Sequence, residues 1–171
     1  LYRLLLAAPV ALLPAAWDRV LASPGRRELS FRHTHTGETL NVVYWADGAY
    51  LPDALARVDY LLRDFRTEET HPIDPALLDI LHRAARESGS RAVYEVISGY
   101  RSAETNAKLA RGNGGVAKRS LHMQGRAIDV RLTGVRTAVL RDVALGLKLG
   151  GVAYYGSSNF IHLDTGRFRT W

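Results

Sequence analysis

The chain has 171 residues, no cysteine and a formal net charge of +6 at pH 7. This length suits one domain with a hydrophobic core of its own. The missing cysteines exclude disulfide scaffolds and cysteine-ligated zinc fingers or ribbons. The positive charge favours acidic partners such as nucleic acid, anionic membranes or carboxylate-rich peptides. No helix-turn-helix or aromatic-basic ribonucleoprotein motif occurs, so we expect no nucleic-acid partner.

The N-terminal stretch is typical of an export signal. Residues 4–16 are apolar apart from their prolines, follow Arg3, and precede the small residue Ala22. The apolar run is shorter than the roughly 20 residues that a membrane-spanning helix needs. We therefore expect residues 1–22 to be an export segment, the only part of the chain to meet a membrane, and residues 23–171 to form a single domain.

The remaining chain alternates helical and strand patterns. Strand-like runs at 28–31 and 39–45 flank Thr36-Gly37 and predict a hairpin. Further strands are predicted at 93–97, 126–132, 152–155 and 160–164. Apolar residues at helical spacing predict four helices: 52–68, 75 to the stop at Gly89, 102–111 and 136–149. These elements predict an α+β domain with helices packed over a small antiparallel sheet.

Strand alternation brings two polar side chains off the core. In 126–132 it separates Asp129 from the apolar positions, and in 160–164 it does the same for His162. Gly125 allows a tight turn, so His122 can fold back towards Asp129. Two imidazoles and one carboxylate form a three-ligand set that suits catalytic zinc, which keeps one position open. A hydrogen-bonded polar cluster without metal is the alternative.

The other histidines receive structural interpretations. His33 and His35 lie beside the hairpin turn, and we expect both to be solvated. His71 and His82 belong to the helical layer, where we expect packing roles and no metal binding.

The motif around the predicted ligands resembles that of a known family. The pattern Ser-x-His-x-x-Gly-x-Ala-x-Asp over 120–129, with His162 in a later strand, resembles the zinc-binding signature of the M15 D-Ala-D-Ala peptidases. Several segments closely resemble the MepK group of murein endopeptidases within it: 98–102, 115–120, 150–152 and 159–166. The resemblance extends over nearly the whole chain after residue 28.

The resemblance implies a fold, a cofactor and a substrate. The fold would be that of Hedgehog-like and D-Ala-D-Ala peptidases, with Zn²⁺ bound by His122, Asp129 and His162. Arg101 would contact substrate and stabilise the developing oxyanion. The substrate would be the D-Ala to meso-diaminopimelate cross-link between peptidoglycan stem peptides, in the periplasm of a Gram-negative bacterium.

The sequence departs from the family at the general base. Asn159 and Phe160 occupy positions where many members carry a carboxylate or a histidine, and neither can take a proton. Asp164 shares a strand face with His162, so we nominate it as the base or as the partner that orients that imidazole. A D-Ala-D-Ala carboxypeptidase and a cell-wall binding module with an impaired metal site remain alternatives. A monomer is expected.

Overall fold

The computed structural model of the protein describes residues 25–90, 92–112, 117 and 119–171. The predicted export segment, residues 1–22, lies outside the described residues, as does part of the segment 115–120. Nothing in the described part of the chain forms a helix long and apolar enough to cross a membrane.

The described residues form eight strands and four α-helices. The strands are β1 (Arg27–His33), β2 (Thr39–Ala46), β3 (Ala49–Tyr50), β4 (Tyr94–Ser98), β5 (Ala127–Leu132), β6 (Gly151–Tyr155), β7 (Phe160–Asp164) and β8 (Arg169–Thr170). The α-helices are α1 (Pro52–Leu61), α2 (Pro75–Glu87), α3 (Ala103–Gly112) and α4 (Thr137–Leu147). A short 3-10 helix spans Leu121–Gln124.

All eight strands belong to one sheet, in the order β3-β2-β1-β4-β5-β7-β6-β8. The predicted α+β class is confirmed, and the β1/β2 hairpin forms as expected. The sheet is larger than the small antiparallel sheet that we predicted, and it is mixed. Strand β4 runs parallel to β1, and β8 runs parallel to β6. Parallel neighbours need a crossover connection, and α1 and α2 provide it between β1 and β4.

Helix α2 forms the centre of the core. Asp74 caps it, accepting a hydrogen bond from the Ala76 backbone N–H at 3.0 Å, and the helix begins at Pro75, the start that the sequence predicts. The helix buries the apolar stripe Leu77, Leu78, Ile80, Leu81, Ala84 and Ala85. Tyr94 of β4 donates a hydrogen bond to the Leu81 carbonyl, which joins this helix to the sheet.

The predicted extent of two helices is wrong. Helix α1 ends at Leu61 instead of 68, because the buried Asp64 side chain accepts hydrogen bonds from the backbone N–H and hydroxyl of Ser102 at 2.9 and 2.7 Å. Helix α4 ends at Leu147, where Lys148 adopts a left-handed conformation with φ of 54°. The apolar spacing that predicts α4 would turn Val139 inward as well, but this residue is exposed because the buried stripe of the short helix runs through Leu140 and Ala144.

Candidate metal centre

Strand pairing places Asp129 and His162 next to each other. Antiparallel β5 and β7 align these two residues as direct cross-strand partners, so their side chains leave the same face of the sheet. The His162 Nδ1 atom lies 2.9 Å from Asp129 Oδ1. The alternation seen in the sequence therefore predicts the correct face for both residues.

The 3-10 helix brings in His122. The Ser120 hydroxyl caps this helix by accepting a hydrogen bond from the His122 backbone N–H. The helix ends at Gly125, whose φ of 64° lies in the left-handed region, and a Cβ there would collide with the Pro72 carbonyl. The turn that Gly125 allows returns the chain to β5, so His122 faces Asp129 as expected.

The three side chains converge on a point with metal-like spacing. His122 Nε2 lies 3.4 Å from Asp129 Oδ1 and 3.2 Å from His162 Nδ1. A tetrahedral zinc ion with bonds of about 2.0–2.1 Å holds its ligand atoms about 3.4 Å apart. These residues form a group able to hold a metal ion, with all three donor atoms within 4.8 Å of one another. The site thus fits a three-ligand metal centre.

The hydrogen-bond partners of both imidazoles leave the correct nitrogen free. His122 Nδ1 lies 2.7 Å from the Gly99 carbonyl, which can only accept, so this nitrogen donates and Nε2 carries the lone pair. His162 Nε2 lies 3.0 Å from Asp164 Oδ2 and donates to it, which leaves Nδ1 towards the cluster. Such partners fix the tautomer and orientation of metal-binding histidines.

The ionisable groups of the cluster shift one another's pKa. Burial alone would raise the pKa of Asp129, but the neighbouring His122 and His162 outweigh it and hold that pKa well below its usual range. Burial likewise disfavours a charged His162, yet hydrogen bonds to Asp129 and Asp164 raise its pKa above the ordinary value. The carboxylate is therefore ionised at neutral pH, as a metal ligand must be.

Arg101 lies on the other side of Asp129. Its guanidinium Nη2 is 3.8 Å from Asp129 Oδ2, while Asp129 Oδ1 faces the two histidines. The backbone N–H of Arg101 donates to the His122 carbonyl at 3.2 Å, which ties the two segments together. Arg101 is 9% exposed, and its Nε–H has no hydrogen-bond partner among the described residues. A buried cation with an unused donor thus adjoins the ligand cluster.

The three residues that bear on the general base have other partners. Asp164 is fully buried and accepts hydrogen bonds from His162, from the backbone N–H groups of residues 151 and 166, and from Arg169. Asn159 accepts a hydrogen bond from the Thr137 hydroxyl at 2.9 Å, and Phe160 stacks on Tyr155. Asn159 and Phe160 therefore have packing and helix-anchoring roles.

The prediction that His33 is solvated is wrong. Its side chain is 1% exposed because Phe65, from the loop after α1, packs edge-on against it with ring centroids 5.3 Å apart. His35 is exposed, as expected, and stacks on the same Phe65 ring. His71 and His82 are half-buried and do not belong to the ligand cluster.

Sequence reasoning missed two residues beside the site. Arg169 pairs with Asp164 at 2.7 Å, and the Trp171 ring lies 5.3 Å from the His162 ring. Both belong to the segment around β8, which joins the sheet through two residue pairs with β6. A two-residue strand has no periodicity from which to predict its face, so only the closeness of Arg169 to Asp164 in sequence could have suggested the pair.

Comparisons with known proteins identify the family of the chain. A family model described as "Peptidoglycan L,D-endopeptidase MepK" matches residues 21–171. The probable peptidoglycan L,D-endopeptidase MepK of Haemophilus influenzae is 42% identical over 97% of this chain and 90% of its own. The peptidoglycan L,D-endopeptidase MepK of Escherichia coli K12 is 38% identical over 94% of this chain and 88% of its own.

Among solved structures, the Serratia marcescens L-Ala D-Glu endopeptidase ChiX is 18% identical, with a TM-score of 0.37 over 56% of this chain and 68% of that one. A similarity at that level supports no inference about activity. The family model and the two relatives suffice: each spans most of the chain, and the residues matched by the family model include all five predicted site residues. The chain belongs to the peptidoglycan L,D-endopeptidase MepK family of peptidases.

Proposed function

We propose that the chain is a zinc-dependent endopeptidase that hydrolyses peptide cross-links of peptidoglycan. The observation that carries the proposal is the convergence of His122, Asp129 and His162, each with its donor atom turned inwards, beside the buried guanidinium of Arg101. Residues 23–171 would form the peptidase domain that contains this site, and residues 1–22 would direct its export.

The metal would be held by His122 Nε2, Asp129 Oδ1 and His162 Nδ1. Zn²⁺ bound by three protein ligands keeps a position for water, lowers the pKa of that water to roughly 7 and polarises a carbonyl oxygen. The absence of a fourth protein donor from the cluster in the described residues agrees with such an open site and not with a closed structural one.

The chain's own residues would orient the reacting groups. The Gly99 carbonyl and Asp164 hold the two imidazoles in the tautomers that binding requires. Arg101 would donate hydrogen bonds to the oxyanion that develops on the scissile carbonyl oxygen, which a buried cation does best where water is excluded. The full burial and saturated hydrogen bonds of Asp164 support an orienting role for it over that of a base.

The substrate proposal draws on the names of the two relatives, which describe L,D-endopeptidases. The bond that the family resemblance implies, D-Ala to meso-diaminopimelate, joins two D centres, whereas those names specify an L centre followed by a D centre. We therefore propose an L,D cross-link as the preferred bond, with the D-Ala to meso-diaminopimelate bond as the second substrate to be tested.

The setting follows from the substrate. Peptidoglycan of a Gram-negative bacterium lies in the periplasm, so we place the protein there as an exported monomer. The net charge of +6 suits carboxylate-rich stem peptides. Nucleic acid is not a proposed partner.

The test uses the full chain loaded with zinc and two purified dimeric muropeptides, one with an L,D cross-link and one with a D-Ala to meso-diaminopimelate cross-link. Mass spectrometry identifies the products beside a His122→Ala control. Release of monomers only by the intact site supports the proposal, and the dimer that is cut identifies the bond. Loss of a terminal D-Ala would indicate a carboxypeptidase instead. Zinc binding without any cleavage would favour a cell-wall binding module.

A further inference from the structure

The carboxylate that orients His162 is itself held by a cation. Arg169 Nη2 lies 2.7 Å from Asp164 Oδ2, and Arg169 Nη1 lies 3.0 Å from Asp164 Oδ1. This two-point pairing fixes the carboxylate plane, which a single hydrogen bond or a point charge does not. Asp164 has no exposed surface, so water does not compete for its oxygens.

The backbone next to this ion pair leaves space for both side chains. The β6/β8 pairing aligns Gly151 with Arg169, and the Gly151 N–H donates to Asp164 Oδ1 at 3.1 Å. A Cβ at Gly151 would lie 2.5 Å from both Asp164 Oδ2 and Arg169 Nη1. A side chain at this position would displace one partner of the ion pair. The backbone here thus leaves room for the carboxylate and guanidinium together.

The oxygen held by the ion pair is the one that meets the His162 ring. Asp164 Oδ2, the oxygen paired with Arg169 Nη2, also accepts from His162 Nε2 at 3.0 Å. With that oxygen held in place, the imidazole is fixed with Nδ1 towards Asp129 and His122. If the carboxylate rotated, this selection between the two ring nitrogens would be lost.

We infer that Arg169 is a positioning residue for the metal ligand His162 and acts on it through Asp164. This inference rests on the proposed metal site. Arg169 makes further contacts, a hydrogen bond to the Arg167 carbonyl at 3.1 Å and a cation-π contact with Trp171 at 4.7 Å. These contacts would give it a merely structural role in β8, so the test must separate the two roles.

The experiment measures Zn²⁺ affinity of the full chain by competition with a chromophoric chelator. Arg169→Gln removes both contacts to the carboxylate and is expected to weaken zinc binding by about 10- to 100-fold, the usual effect of losing a partner behind a metal ligand. Arg167→Gln is the matched control: it removes an exposed arginine two positions away and is expected to leave the affinity within about twofold.

A double-mutant cycle identifies the route of the effect. If Arg169 acts through Asp164, the double variant Asp164→Asn with Arg169→Gln binds zinc no more than about twofold more weakly than Asp164→Asn alone. Arg169→Lys keeps the charge but not the two-point geometry, and its affinity is expected to fall between those of the wild type and Arg169→Gln. If Arg169→Gln does not fold, the zinc affinity of Arg169→Lys provides the test instead.

Each outcome has one meaning. Wild-type affinity in folded Arg169→Gln or in Arg169→Lys would overturn the inference while leaving the proposed function intact. Fully additive losses in the double variant would also overturn it, because they would show that Arg169 acts independently of Asp164. If the wild-type chain itself binds no zinc, the proposed function fails, and the inference fails with it.

Discussion

In the described part of the chain, two regions bury a histidine almost completely, and in only one of them do further donor atoms converge on the imidazole. At the hairpin tip, the His33 Nδ1 atom accepts hydrogen bonds from the backbone N–H groups of His35 and Thr36, and Nε2 has no partner among the described residues. At the ligand cluster, His162 lies between the carboxylates of Asp129 and Asp164.

The groups around each imidazole explain why the pKa of His33 and the pKa of His162 shift in opposite directions. Burial is the main effect at His33 and lowers its pKa. At His162, hydrogen bonds to two carboxylates overcome burial and raise the pKa. Burial therefore does not identify a metal ligand. A histidine becomes a ligand where one nitrogen is held by an acceptor and the other faces further donors.

The largest expected loss of zinc affinity comes from substituting the proposed metal ligands. His162→Ala or Asp129→Ala should weaken zinc binding by more than about 100-fold, since loss of a direct ligand exceeds the loss caused by an outer partner. His33→Asn offers a matched control, because its amide oxygen can replace Nδ1 as acceptor. Chelator competition should find its zinc affinity within about threefold of wild type. If His33→Asn lost as much zinc affinity as the His162 and Asp129 variants, the distinction between the two histidine sites would be wrong.

Arg101 should affect turnover more than metal binding. Arg101→Gln removes the cation beside the open side of Asp129 and is expected to lower kcat about 100- to 1000-fold on cross-linked muropeptides. Zinc affinity should stay within about threefold, because Arg101 approaches the oxygen that does not face the histidines. A variant that loses zinc but turns over normally when loaded would contradict the proposed role.

The stability of the metal-free protein should depend on pH with opposite sign in the two regions. The folded pKa of His33 is lowered, so its neutral form stabilises the fold above the unfolded pKa of about 6.5, and this contribution falls as pH decreases. The folded pKa of His162 is raised, so its contribution is complete below about pH 6.5 and is lost as pH rises through the folded value.

Urea unfolding with a chelator present, at several pH values between about 5 and 8, measures both contributions. His33→Leu should lose most stability, about 1–3 kcal/mol, above about pH 6.5, because two backbone donors lose their acceptor. His162→Leu should lose most at the acidic end. The same sign of pH dependence in both variants would refute the assignment of partners.

The smallest effect is spectroscopic. Trp171 lies 5.3 Å from His162, whereas Trp45 lies on β2, four strand spacings or about 19 Å from β7. Co²⁺, a paramagnetic substitute for zinc, should therefore reduce the fluorescence of Trp171 on binding. In a Trp17→Phe background, which removes the third tryptophan, Trp171→Phe should abolish the metal-dependent change, and Trp45→Phe should keep it. The reverse pattern would place the metal elsewhere in the molecule.

The parts of the fold that were predictable from sequence are those set by local periodicity. Alternation assigns Asp129 and His162 to the polar face of their strands, and a cap followed by proline marks the start of α2 at Asp74. The glycine turn that returns His122 to the cluster is equally local, with φ of 64° at Gly125. The proposed ligand set could therefore be identified before the fold was known.

The parts that escaped prediction depend on contacts between distant segments. Helix α1 stops early because Asp64 bonds to Ser102, 38 positions away. The burial of His33 depends on Phe65, which reaches it from another loop. Arg169 reaches Asp164 only after β8 has paired with β6. Neither helical nor strand periodicity contains information about such contacts.

The direct pairing of Asp129 with His162 also affects how the sheet assembles. These partners are separated by 32 residues of chain, and a slip of one residue would set Ile128 or Val130 opposite His162. Such a slip also turns every side chain of the strand to the other face. Only the native register brings the three donor atoms together. Metal binding would therefore stabilise the native register of the strands relative to shifted registers.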